Sequence, residues 1–90
     1  MRITDKHLAA ALNNLNSATN SPTDSYTKLP NGTILANVGN YHIDSAYGGN
    51  KLVRMASPGG SITTISTGYD TKRYVLEIIH AMLAGIAAKQ

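Results

Sequence analysis

The sequence predicts an α+β fold: a small antiparallel sheet of three to four strands, with an N-terminal and a C-terminal helix packed on one face. Three observations predict it. Apolar residues recur at helical spacing near both ends, Leu8, Leu12 and Leu15 at one and Val75, Ile78, Ile79, Met82, Leu83 and Ile86 at the other. Between them lie short runs rich in β-branched and aromatic residues, separated by Pro-Asn-Gly and Gly-Gly turn signals. Ninety residues leave room for one domain, residues 1–90, and a small core. A homo-oligomer is therefore expected, because assembly would bury more apolar surface.

The elements follow in order. Thr4 is placed to cap a first helix, with Asp5 favourable at the positive end of its dipole. This helix is expected over residues 5–18; Asn13, Asn14 and Asn16 weaken its end, and Ser21-Pro22 stops it. Residues 19–32 are polar and turn-rich, with a short edge strand expected at 26–29 before Pro30-Asn31-Gly32. Residues 33–38 read as a strand, and Gly39 either bulges it or bends the chain into the next strand at 41–45. A strand at 51–56 ends in Ser57-Pro58-Gly59-Gly60, and Thr- and Ile-rich residues 61–67 form the last strand, broken by Gly68. Asp70 or Thr71 caps the second helix, whose apolar stripe faces the core; Leu76 on its flank leaves room for a subunit contact.

Residues 40–55 read as a hairpin holding most of the chain's unusual chemistry. Gly48-Gly49 supplies the positive φ values that a tight turn needs. Turn length decides which side chains share a face. An even loop sets Ile43 beside Leu52 and Arg54. An odd loop, Tyr47-Gly48-Gly49 with a bulge, pairs Tyr41 with Met55 and Ile43 with Val53. The odd loop is preferred because it gathers His42, Asp44 and Arg54, with Leu52, on one face and leaves the other apolar.

Composition narrows the function classes. The chain has no Cys, so it has neither a disulfide framework nor a thiolate metal site. His7, His42 and His80 lack metal-ligand spacing, and no cofactor is implied. The net charge of +3 hints at an anionic partner without supplying the dense basic stripe of a dedicated DNA binder. No apolar leader opens the chain, and no run approaches the roughly 18 apolar residues of a membrane span, so a soluble cytoplasmic protein is expected.

Val38-Gly39-Asn40-Tyr41-His42, Asp44, Ala46-Tyr47-Gly48-Gly49 and Lys51-Leu52-Val53-Arg54-Met55, followed by a Gly-Gly turn and Thr71-Lys72-Arg73, resemble a family of small proteins encoded by tailed phages and prophages. Arg2 through Leu8 and the segment from Ser21-Pro22 to Tyr26-Thr27 fit the same pattern, so the resemblance spans nearly the whole chain. It implies a phage context and the cytoplasm of a bacterial host rather than an activity. One departure is visible: Tyr74 stands where the family carries an acidic residue after Thr-Lys-Arg, which leaves the start of the second helix more positive.

Three groups are candidate ligand contacts. Thr71, Lys72 and Arg73 open the second helix, where free N–H groups, the dipole and two cations suit an anion; the alternative is a solvated first turn. His42, Arg54 and nearby Lys51 form the polar hairpin side, with Arg54 gripping a phosphate, or else Asp44 and Arg54 make a cross-strand ion pair. Tyr47, Gly48 and Gly49, with Tyr41 and Tyr69, offer close backbone approach and aromatic cover for a base; the alternative is turn chemistry and core packing. No acid–base pair or activated nucleophile is legible, so the chain reads as a binder rather than an enzyme. The expected function is capture of a small anionic, nucleotide-derived immune signal without turnover. The alternatives are a small basic nucleic-acid-binding regulator, and a protein-binding inhibitor or virion assembly factor.

Overall fold

The structure is a computed structural model describing residues 2–66 and 68–89. Helix α1 spans Asp5–Ala18, and helix α2 spans Lys72–Ala88. Between them run β1 (Tyr26–Lys28), β2 (Ile34–Ala36), β3 (Tyr41–Ala46), β4 (Gly49–Met55) and β5 (Ile62–Thr64). The α+β class and the two terminal helices agree with the sequence. The sheet is divided, however: β1 and β2 form one antiparallel pair, and β3, β4 and β5 form a separate three-stranded sheet in that order. The last strand is shorter than its sequence pattern, and its final expected residue, Thr67, lies outside the described residues.

Helix α1 starts where Thr4 predicts. The Thr4 hydroxyl accepts the His7 N–H, and the Thr4 N–H donates to His7 Nδ1 at 3.0 Å. His7 thus completes a reciprocal cap and is spent on helix initiation. Helix α2 starts at Thr71, whose hydroxyl accepts from the Tyr74 N–H at 3.1 Å. The two helices pack together, α1 also on β3 and α2 on β4. Their core joins Leu8, Ala11, Leu15, Tyr41, Leu52, Val75 and Ile79, with Leu76, half-buried, packed against it.

Asn16 does more than weaken a helix end. It is buried, its Nδ2 donates to the Tyr41 carbonyl at 3.1 Å, and its Oδ1 accepts the Tyr41 N–H at 2.8 Å. The side chain therefore serves the edge of β3 as a short strand would. Asn40, also buried, holds the connecting loop: its Nδ2 donates to the Pro22 carbonyl and its Oδ1 accepts from the Ser25 hydroxyl. Of the two roles open to Gly39, the structure takes the bend: at φ +94 it turns the chain out of one sheet and into β3 of the other.

The hairpin takes the even register, correcting the odd loop. Tyr41 pairs with Arg54, Ile43 with Leu52, and Asp44 with Lys51. Tyr47 (φ +52) and Gly48 (φ +74) are its two central residues, both left-handed as a type I′ turn requires. Gly49 instead belongs to β4, and its missing side chain has another use. A Cβ there would stand 2.9 Å from the Tyr69 Cβ and 3.1 Å from the Asp70 nitrogen. The odd loop rested on one apolar and one polar ribbon face. In fact both faces of β4 are covered, since successive Leu52 and Val53 are both fully buried.

Candidate ligand-binding site

The even register sorts the expected contacts into three places. His42, Asp44 and Lys51 share the sheet face turned away from the helices, because residues paired or two apart project to the same side. Arg54 projects to the other side with Tyr41. Its guanidinium carbon lies 4.6 Å from the centre of the Tyr41 ring, and its Nε donates to the Gly39 carbonyl at 3.1 Å. Tyr41 itself is a buried core residue. Arg54 and Tyr41 therefore hold the base of the ribbon together and do not join Lys51. The alternative Asp44–Arg54 pair is excluded by the same register.

The start of α2 is a third place. Lys72 Nζ lies 3.1 Å from Asp5 Oδ1, which ties the two helix N-termini together. Thr71 is occupied by its cap, and Asp70 Oδ1 accepts the Thr71 N–H at 2.8 Å. Arg73 is exposed in the same turn. Two carboxylates, Asp5 and Asp70, thus stand where the sequence suggested an anion cradle. A cleft of about 410 Å³ lies between this end and the hairpin tip, lined by Asp5, Ala46, Gly48, Gly49, Asn50 and Lys72.

One constellation draws together residues from the hairpin and the segment before α2. Asn50 and Asp70 exchange two backbone hydrogen bonds, of 2.7 and 2.8 Å, so the chain before α2 runs as a short partner of β4. That pairing lays Tyr69 against Gly49. The Tyr69 hydroxyl donates to Asp44 Oδ2 at 2.6 Å. Lys51 Nζ stands 4.5 Å above the Tyr69 ring centre, a cation–π contact. The Tyr47 ring meets Tyr69 edge-on at 5.5 Å. Tyr47 is 94% exposed, so it presents its ring to solvent from the hairpin tip.

Electrostatics here is set by Asp44. Its hydrogen bond to the phenol raises the Tyr69 pKa above the ordinary range, with desolvation and the carboxylate's charge acting the same way. His42 moves the other way: partial burial lowers its pKa, and the attraction of Asp44 only partly offsets this. At neutral pH His42 is thus uncharged. Its Nδ1 lies 3.2 Å from Asn40 Oδ1, which already accepts from Ser25, so Nδ1 carries the proton and Nε2 keeps its lone pair.

The cluster offers an aromatic surface, one cation, one carboxylate and one imidazole nitrogen. A base can stack on Tyr47, an anionic group can meet Lys51, and Asp44 can accept an N–H. Asp44 joins the candidate contacts here, because only in the even register does it face Lys51. Among the described residues, no group of three His, Asp or Glu side chains gathers to hold a metal ion. Nor is any described helix long and apolar enough to cross a membrane. A scan against protein-family models, a search of curated proteins and a search of solved structures each return no match.

Proposed function

We propose that this protein binds a small anionic, nucleotide-derived signal and withholds it without turnover. The observation that carries the reading is Tyr69, fixed between Lys51 and Asp44 with Tyr47 at its edge. A nucleotide needs a flat surface for its base, a hydrogen-bond acceptor for base N–H groups and a cation for its phosphate. Tyr47, Asp44 and Lys51 supply these in one short stretch of ribbon. Stacking on an aromatic side chain contributes about 1–3 kcal/mol per base, which makes Tyr47 the leading contributor. The phenol and the carboxylate bind each other, the neutral imidazole meets Asn40, and Arg54 and Lys72 serve structural contacts. Sequestration follows from that chemistry more readily than bond cleavage.

The resemblance to tailed-phage proteins supplies the setting. In the cytoplasm of a bacterial host, such a protein lowers the free concentration of an immune signal and silences the defence that depends on it. Duplex nucleic acid is a poorer fit: Arg54 lies over Tyr41, Lys72 pairs with Asp5 and Lys51 lies over Tyr69, so these cations line no continuous stripe. The test is titration calorimetry with cyclic dinucleotides, cyclic trinucleotides and cyclic ADP-ribose isomers, followed by mass spectrometry of the heat-released ligand. Saturable heat and intact ligand are expected. An absence of heat with every compound rejects the reading.

A further inference from the structure

The surface is larger than a chain of this size should expose. A compact monomer of 9.5 kDa is expected to present about 5,050 Å². This chain exposes 5690 Å², about 640 Å² more. Its radius of gyration is 13.6 Å, where about 12.2 Å is expected for 90 residues. The excess is close to the roughly 800 Å² that each partner buries in a standard protein interface.

The exposed large apolar side chains lie on strands and the loops beside them, not on the helices. Among the described residues, Tyr26, Ile34, Leu35, Val38, Tyr47, Ile62 and Ile65 are the large apolar residues left exposed, and none lies on either helix. Ile34 is 61% exposed and Val38 51%. Five of the seven fall in residues 29–43 and 55–69, stretches that contain no Asp, Glu, Lys or Arg. The two stretches are joined in space, because the Ala36 N–H donates to the Pro58 carbonyl at 3.0 Å and the Gly39 N–H to the Met55 carbonyl at 2.8 Å.

The backbone points the same way. A lone two-stranded hairpin is marginal in water. In the pair of β1 and β2, the Ala36 N–H faces away from β1, toward Pro58. Ile34, two residues earlier, therefore turns its own N–H and carbonyl to the same open side, where no described residue meets them. Exposed edges are usually protected by lysine, proline or a bulge, and the β2 edge carries none of these.

We infer that this uncharged β2–β5 surface is where a second copy of the chain docks, forming a two-fold dimer through Ile34, Val38 and Ile62. A two-fold interface uses one patch twice, so it must be self-complementary. A neutral apolar patch satisfies that on a protein of net charge +3, whereas a patch built from its lysines and arginines would repel its copy. The apolar stripes of the helices are already packed together in the core.

Sedimentation equilibrium of the full chain, from micromolar to millimolar, tests the inference. The expected mass is twice 9.5 kDa, falling to one chain on dilution. Ile34→Glu and Ile62→Glu should each shift the midpoint at least tenfold toward monomer with an unchanged circular dichroism spectrum. Ala84→Glu, on an exposed position of α2, should leave it in place. Hydrogen exchange of the unmutated protein gives a second readout: the amides of residues 33–38 and 61–65 should slow as concentration rises, while those of the helices should not. A monomer throughout the range overturns the inference, as would a partner of different identity that needs this patch while the chain alone stays monomeric. So does a dimer that survives both sheet substitutions but is lost in Ala84→Glu, or one whose concentration-dependent protection falls on the helices.

Discussion

Gly49→Ala is the sharpest probe of how the site is built. Gly49 is not among the left-handed glycines, so alanine is acceptable to its backbone. The added methyl carbon is what does the damage. It would stand 2.9 Å from the Tyr69 Cβ, 3.0 Å from the Tyr69 carbonyl carbon and 3.1 Å from the Asp70 nitrogen. Two of these atoms are backbone, so the segment before α2 must retreat, and the Asn50–Asp70 pairing of two backbone hydrogen bonds goes with it. Each such bond contributes about 0.5–1.5 kcal/mol net, so their loss costs about 1–3 kcal/mol. The reduced entropy of the unfolded chain returns about 0.4–1 kcal/mol. A net destabilisation near 1–2 kcal/mol remains, and at about 4–8 °C per kcal/mol for a domain of this size the melting temperature should fall measurably. Ultraviolet titration supplies the specific readout, because Tyr69 leaves Asp44 and its raised pKa returns toward the ordinary range. Gly48→Ala is the control. It meets no atom within 4 Å but sits at φ +74, so it costs stability through its backbone while leaving the Tyr69 titration as it was. A Gly49→Ala protein that melts like the parent, with Tyr69 ionising unchanged, would refute the argument.

Other expectations follow from the same contacts. Asn16→Leu leaves the buried N–H and carbonyl of Tyr41 without partners and should cost about 2–4 kcal/mol in urea denaturation, far more than the exposed Asn14→Leu. Asp44→Asn should move two titrations downward together, Tyr69 by losing the negative charge that strengthens its hydrogen bond and opposes its ionisation, and His42 by losing the charge that opposes its burial; proton NMR and absorbance read both. Because the His42 pKa is lower in the folded than in the unfolded chain, its contribution is complete above about pH 6.5 and is lost as pH falls through the folded value, so the parent should weaken on mild acidification more than His42→Gln does. Tyr47→Asn exchanges an exposed aromatic residue at φ +52 for one that tolerates that conformation, so the melting temperature should hold while calorimetric affinity for a cyclic nucleotide falls about tenfold or more.

The chain alone determined the α+β class, the start of the first helix, the start of the second to within Asp70 or Thr71, and the order of their apolar stripes, because caps and 3.6-residue periodicity are local signals carried in residue spacing. It also placed Tyr47, Lys51 and Tyr69 among the candidate contacts. Only the tertiary structure decided which of the candidates meet. The hairpin register depended on what lay against Gly49, and that neighbour, Tyr69, is twenty residues away in sequence. The same register sent Arg54 to the helix side and Asp44 to the Lys51 side, exchanging one ligand candidate for another. Lys72 was drawn to Asp5 across the whole length of the chain, and Asn16, a residue that weakens helices in isolation, became the partner of a β-strand edge. Local propensity is written residue by residue; which charge and which polar group find one another is set by contacts between segments whose spacing along the chain carries no trace of the encounter.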